Sequence, residues 1–204
     1  MTNTARYVDL SNRLVELEEH LITKEFSDIG DYPEHIKDMA RGYRLLAHAE
    51  IESYLEDVVG QVADKALARW QTSDVGSREL ISVLAALKSD PEVSDKQLVA
   101  LKTTEQTVNY SFVLFKKRIT KNNGVKEKDI KALMAPIGLD VEALIPELVP
   151  LLDSFGTKRG EVAHSTSLKK EINPKDEVSD VKNIHGYLDK LDQQMFTIIE
   201  SLST

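Results

Sequence analysis

Ile51-Glu52-Ser53-Tyr54-Leu55-Glu56-Asp57-Val58-Val59-Gly60-Gln61-Val62 is the stretch that decides the fold class. Ile51, Leu55, Val58 and Val62 share one face of a helix, because residues three and four apart stack at about 3.6 residues per turn. The same period extends outward into a long helix from about Glu34 to Gln71, and Pro33 suits its start because a first-turn N–H has no helical partner. Before it, Ser27 to Pro33 reads as a loop punctuated by Gly and Pro. A first amphipathic helix is expected from about Thr4 to Ile22, with Val8, Leu14, Val15 and Leu21 toward the core.

Further along, Val75 to Lys88 reads as a shorter helix that ends before Ser89-Asp90-Pro91. Ser94 is the expected N-cap of one long helix to about Thr120, whose Val108, Phe112 and Phe115 form a core stripe. Lys121-Asn122-Asn123-Gly124 should stop it, with Gly124 as a left-handed cap. Pro146 and Pro150 limit where the next helix starts, and Leu148, Val149, Leu151, Leu152 and Phe155 supply its apolar surface. Ser165 to Asp180 is polar, Pro174 is expected to break any helix there, and a final helix should run from about Val181 to Leu202. Strand-type alternation bounded by hairpin turns is missing, so the expected class is all-α.

The length of 204 residues suits one domain, taken as residues 1–204. There is no cysteine, which excludes disulfides and thiol chemistry. The first residues lack the apolar core of a secretory signal, and no apolar run has membrane-spanning length. A cytoplasmic protein with no membrane role is expected. The net charge of −8 argues against a general nucleic-acid coat protein, since phosphate neutralisation supplies most non-specific binding. The charge is uneven, however. Lys116, Lys117, Arg118, Lys121, Lys126, Lys128 and Lys131 are interrupted only by the acids Glu127 and Asp129. This run reads either as a solvated helix end or as a contact surface for RNA.

Chemistry concentrates in Phe155-Gly156-Thr157-Lys158-Arg159-Gly160-Glu161-Val162-Ala163-His164-Ser165, which holds an Arg-x4-His pair. Arg159 supplies a permanently charged fork that matches a phosphate, and His164 a proton donor or acceptor near neutral pH. On a helix the two lie about 140° apart and about 7.5 Å along the axis, so one copy does not easily close both on one phosphate. A two-fold dimer that packs this helix against its own copy would gather two of each in a shared cleft. Gly156 and Gly160, without Cβ atoms, would permit a tight crossing at the axis. The plain structural alternative pairs Arg159 with Glu161 or another acid and makes His164 a helix-end cap. Similarly, His48 and Glu52 are either an i,i+4 couple or a border of the cleft that orients Arg159 or His164.

No pair of histidines has metal-ligand spacing, and neither phosphate-binding glycine loops nor a serine nucleophile elbow occurs. No metal or cofactor is expected.

The segment Leu45-Leu46-Ala47-His48-Ala49-Glu50-Ile51-Glu52-Ser53-Tyr54-Leu55-Glu56-Asp57, with the distant run from Arg159 to His164, resembles the HEPN superfamily, closest to its RiboL-PSP-HEPN branch. Pro136-Ile137-Gly138-Leu139-Asp140 sits where that branch has a short turn before its motif helix. The resemblance implies a helical bundle with long antiparallel helices and extra shorter ones, working as a homodimer. It further implies metal-independent RNA cleavage with Arg159 and His164 as the catalytic pair, in a toxin–antitoxin or anti-phage setting with a possible antitoxin or defence-protein partner. Glu161, Ser165, His48 and Glu52 are the expected supporting residues, and Lys158, Lys116, Lys117 and Lys121 the candidate RNA contacts. Gly160 departs from the polar residue that many active members carry after the arginine. A non-catalytic interaction or nucleotide-binding module is the alternative expectation.

Overall fold

The computed structural model describes residues 2–89, 93–164 and 171–203, without the side chains of 162–164. Among the described residues every regular element is helical: α1 (Ala5–Leu21), α2 (Glu34–Ser73), α3 (Arg78–Lys88), α4 (Asp95–Ala100), α5 (Thr104–Thr120), α6 (Glu127–Met134), α7 (Val141–Leu144), α8 (Leu148–His164) and α9 (Pro174–Leu202). A 3-10 turn over Ala135–Ile137 follows α6, and Gly138 leaves it in the left-handed region at φ 78°.

The spine is α2. Ile51, Leu55, Val58 and Val62 are fully buried as their spacing requires, and so are Ala40, Ala47, Tyr54, Val59, Ala63 and Ala66. A helix with apolar residues on so many sides is enclosed by neighbours rather than laid on one. Here α1, α9, α8, α5 and α3 all pack against it. Ion pairs from Arg6 to Asp57 and from Arg13 to Glu50 show α1 antiparallel to α2. In contrast, α9 runs in the direction of α2, with Arg44 meeting Glu177, Tyr54 meeting Asp192 and Arg69 meeting the Ser201 carbonyl.

The buried face of α1 differs from expectation. Tyr7, Leu10, Leu14 and Leu17 are buried, whereas Val8 and Val15 are 50% and 57% exposed. The four larger side chains share an arc, and the two valines lie about 100° off it. Tyr7 also stacks on the His185 ring, with centroids 5.0 Å apart, which fixes that arc toward α9.

Several helix ends are set by caps. Ser77 accepts from the Leu80 N–H, so α3 begins at Arg78 rather than near Val75. The single helix expected between Ser94 and Thr120 is two helices. Ser94-x-x-Gln97 forms a capping box for α4, and Thr103 caps α5 by accepting from the Gln106 N–H at 3.1 Å. Gln106 in turn accepts from the Lys102 N–H at 2.8 Å, so the chain breaks at Leu101 to Thr103 because a second cap competes with continuation. Gly124 is not a left-handed cap; α5 ends at Lys121 in the right-handed region. Pro174 does not break a helix but begins α9, where its missing N–H would be unpaired anyway, and Asn173 caps it. The final helix therefore starts seven residues before the expected Val181.

One carboxylate joins three helices. Asp192 of α9, fully buried, accepts from the Thr4 N–H at 2.7 Å, the Thr4 hydroxyl at 2.6 Å and the Tyr54 hydroxyl at 2.9 Å. Three donors replace the water that burial removes. Asp192→Ala should destabilise the chain by about 3 kcal/mol and lower the thermal midpoint by roughly 10 °C, because three buried donors lose a charged acceptor. Asp192→Asn, which retains one acceptor oxygen, should lose less. Equal thermal midpoints for parent and Asp192→Ala in a calorimetric scan would show that this node contributes nothing.

Candidate functional site

The motif helix α8 starts where the prolines permit. Pro150 falls within its first turn, where an N–H is dispensable, and the Leu148 N–H donates to the Ile145 carbonyl at 3.1 Å. Leu148, Val149, Leu152 and Phe155 are buried and seat the helix. Phe155 lies against the His48 ring of α2, with centroids 5.8 Å apart and planes inclined by 26°. On another side, Asp153 accepts from the Glu127 N–H at the start of α6. Gly156 is buried, and a Cβ there would come within 3.0 Å of Lys126 Cγ and 3.5 Å of Val125 Cγ2. Its close approach is thus made inside the protomer, not to a second copy as expected from sequence. Among the described residues nothing lies within 4 Å of a Cβ at Gly160.

The next turn is tied to α9. Lys158 Nζ sits 2.5 Å from Asp180, and its carbonyl accepts from Arg44. Arg44 also forks onto both oxygens of Glu177, with Nε to Oε2 at 2.6 Å. Burial pushes the Glu177 carboxyl up against the pull of Arg44. Lys158, a candidate RNA contact by sequence, is therefore engaged within the fold.

Arg159 is half-buried, and its charge acts on His48 and Glu52 of α2, which sequence left as either an i,i+4 couple or a border of the cleft. His48 is 1% exposed, and its Nδ1 is 3.5 Å from Glu52 Oε2, too long for a hydrogen bond. Nδ1 is the buried side-chain polar atom without a hydrogen-bond partner among the described residues. Burial first, and the Arg159 charge second, lower the His48 imidazole to about 4, so it is neutral at physiological pH. The separation from Glu52 is then not an ion pair. Burial and Glu56 raise the Glu52 carboxyl, Arg159 opposes them, and Asp129 adds to the rise.

Other expected residues are placed as follows. Glu161 is half-buried and has a partner of its own. The His164 side chain and Ser165 lie outside the described residues. Lys117 and Lys121 are exposed at the C-terminal end of α5, Lys121 with a partner, and Lys116 pairs with Asp64 at 2.5 Å. That end of α5 abuts α2 one turn beyond Glu52, since Asn122 donates to Glu56 at 2.8 Å. Lys126 was part of the basic run, but no sequence signal singled it out as lying across α8. Arg44 and Glu177 carried no signal either, being separated by most of the chain. Among the described residues no group of three His, Asp or Glu is arranged to hold a metal ion, and no helix is long and apolar enough to cross a membrane.

The family model RiboL-PSP-HEPN matches residues 8–196, and the chain belongs to that family. No curated protein and no solved structure matches it. Membership in this branch of the HEPN superfamily points to an RNase-like or nucleotide-related function.

The folded His48 value lies below the ordinary 6.5, so between about pH 4 and 6.5 the folded chain binds fewer protons than the unfolded one. His48 consequently reduces stability as pH falls through that window. A His48→Gln chain should lose less stability than the parent between those limits in denaturant titrations. In Arg159→Gln the His48 midpoint, followed by NMR, should rise. An unchanged midpoint would place the guanidinium too far away to act on the ring.

Proposed function

From membership of the RiboL-PSP-HEPN family as premise, we propose that the protein is a metal-independent endoribonuclease acting as a homodimer through Arg159 and His164. The observation that carries the reading is the packing of the motif helix on α2: Phe155, one turn before Arg159, lies against the buried His48 ring, whose Nδ1 has no hydrogen-bond partner among the described residues, and the Arg159 charge acts on both His48 and Glu52. A guanidinium fixed near a low-dielectric wall interacts with phosphate oxygens more strongly than one in bulk water.

In this mechanism His164 takes the proton of the 2′-hydroxyl or delivers one to the leaving 5′-oxygen. Arg159 holds the non-bridging oxygens as negative charge develops on them. Attack by the 2′-oxygen breaks the P–O5′ bond and leaves a 2′,3′-cyclic phosphate, or a 3′-phosphate after hydrolysis, with a 5′-hydroxyl on the other fragment. DNA lacks the internal nucleophile and is spared. Because Arg159 and His164 diverge around α8, the complete site draws on both copies of the motif across a two-fold axis. RNA is the substrate, and a growth-arrest setting, either a toxin–antitoxin pair or anti-phage defence, is the corresponding biological role. His48 and Glu52 position Arg159, and Lys117 and Lys121 extend the contact surface.

One observation favours a second reading, a nucleotide-binding module without cleavage. Gly160 lacks the polar side chain that could contact phosphate or base, and none of the described residues comes within 4 Å of a Cβ there.

The deciding experiment incubates the purified chain with RNA in EDTA. Parent protein should cut, with Arg159→Ala and His164→Ala each slower by about 100-fold or more. Gly160→Ser should cut faster than the parent, since the added hydroxyl meets no neighbour. Absence of cleavage by the parent, or cleavage undiminished in both alanine variants, rejects the nuclease reading.

A further inference from the structure

Gly156, Arg159 and Gly160 lie on one face of α8, because residues three and four apart stack along a helix. The stem of Lys126 crosses this face. Its Cγ occupies the place where a Cβ of residue 156 would crowd it at 3.0 Å, and its backbone N is 3.6 Å from the same point. Glycine at 156 is what allows the crossing. Toward the N-terminal side the face is closed, since Asp153 is taken by the Glu127 N–H. Toward the C-terminal side, none of the described residues comes within 4 Å of a Cβ at Gly160.

Three other lysines of this region are paired locally. Lys116 is held by Asp64, Lys131 by Glu127 and Glu142, and Lys158 by Asp180. Among the described residues no carboxylate side chain holds the Lys126 ammonium, and the nearby Asp129 carboxylate instead accepts from the Lys126 backbone N–H at 3.2 Å. A half-buried lysine whose Cγ lies over a bare helix has less rotamer freedom to lose on binding than one in open solvent.

We infer that Lys126, laid over Gly156, is a second phosphate-binding residue of the motif face and takes the backbone phosphate next to the one held by Arg159. The site's ligand class is therefore a single-stranded polyanionic backbone rather than one isolated phosphate. One turn of helix, about 5.4 Å, separates the Gly156 level from the Gly160 level, a spacing that consecutive phosphates of a flexible strand can match. This inference rests on the nuclease reading for the identity of the strand. Lys126 touches a phosphate that does not react, so its loss acts on binding and on KM more than on kcat.

The test uses the full chain and a short 2′-O-methyl oligoribonucleotide, whose blocked nucleophile prevents cleavage, with affinity followed by fluorescence anisotropy across a series of KCl concentrations. Lys126→Met keeps the stem over Gly156 and removes only the charge. It should weaken binding about threefold to tenfold at low salt and make the log–log salt slope shallower by about 0.7, the value of one phosphate contact on a single strand. Lys126→Arg should restore the slope, and Lys88→Met, an exposed charge at the end of α3, should match the parent. A Lys126→Met chain with parental affinity and slope overturns the inference; if the parent still cuts unmodified RNA, the nuclease reading survives that result. A parent that neither binds the oligonucleotide nor cuts RNA overturns both.

Discussion

The Arg44 guanidinium is the constraint on which the motif's placement depends. From α2 it forks onto Glu177 of α9 and donates to the Lys158 carbonyl of α8, so one side chain joins three helices a single residue before Arg159. A buried ion pair is seldom a large net source of stability, because desolvation offsets most of its attraction. What it supplies is register. Apolar contacts at Leu148, Leu152 and Phe155 would tolerate small slips of α8 along α2, but a planar fork with two carboxylate oxygens and a carbonyl does not. The Lys158 to Asp180 pair adds a second tie from the same turn to α9.

Against that frame, the wall beneath Arg159 is chemically unusual. His48 is enclosed and neutral, and its Nδ1 lacks a hydrogen-bond partner among the described residues, which a fold built only for stability would avoid. Phe155 covers one face of its ring, and Glu52 stands just beyond hydrogen-bond distance. Charges around Arg159 are also mixed. Glu52 interacts with Glu56 and Asp129 as well as with the guanidinium.

How much of this was legible in the sequence depended on whether a signal was local. The α2 face declared itself through Ile51, Leu55, Val58 and Val62, and the stripe of Val108, Phe112 and Phe115 was correctly read as core. The break between α4 and α5 was also written locally, as Thr103-x-x-Gln106, but a strong cap at Ser94 and continuous helical spacing masked it. The α1 face failed for a different reason: Val8 and Val15 are as apolar as Leu14, and only the tertiary partner His185 selects Tyr7 and its neighbours. The spacing of His48 and Glu52 left open an i,i+4 couple or a border of the cleft, and the Arg159 charge acts on both side chains. Gly156 was recognised as a point of close approach, yet sequence offered no way to tell a neighbouring loop from a second subunit. Arg44 and Glu177 meet only because α9 returns along α2.

The short helix α4 stands apart from all of this. Among the described residues it buries no side chain, begins at the Ser94 capping box and is tied to α5 by a hydrogen bond from Gln97 to Tyr110. A six-residue helix without an anchored face has little cooperativity of its own and opens independently of the global transition. Its amides should therefore exchange with solvent on a faster clock than those of α2, and a protease meeting the native molecule should find a foothold near residues 95–103, away from the spine.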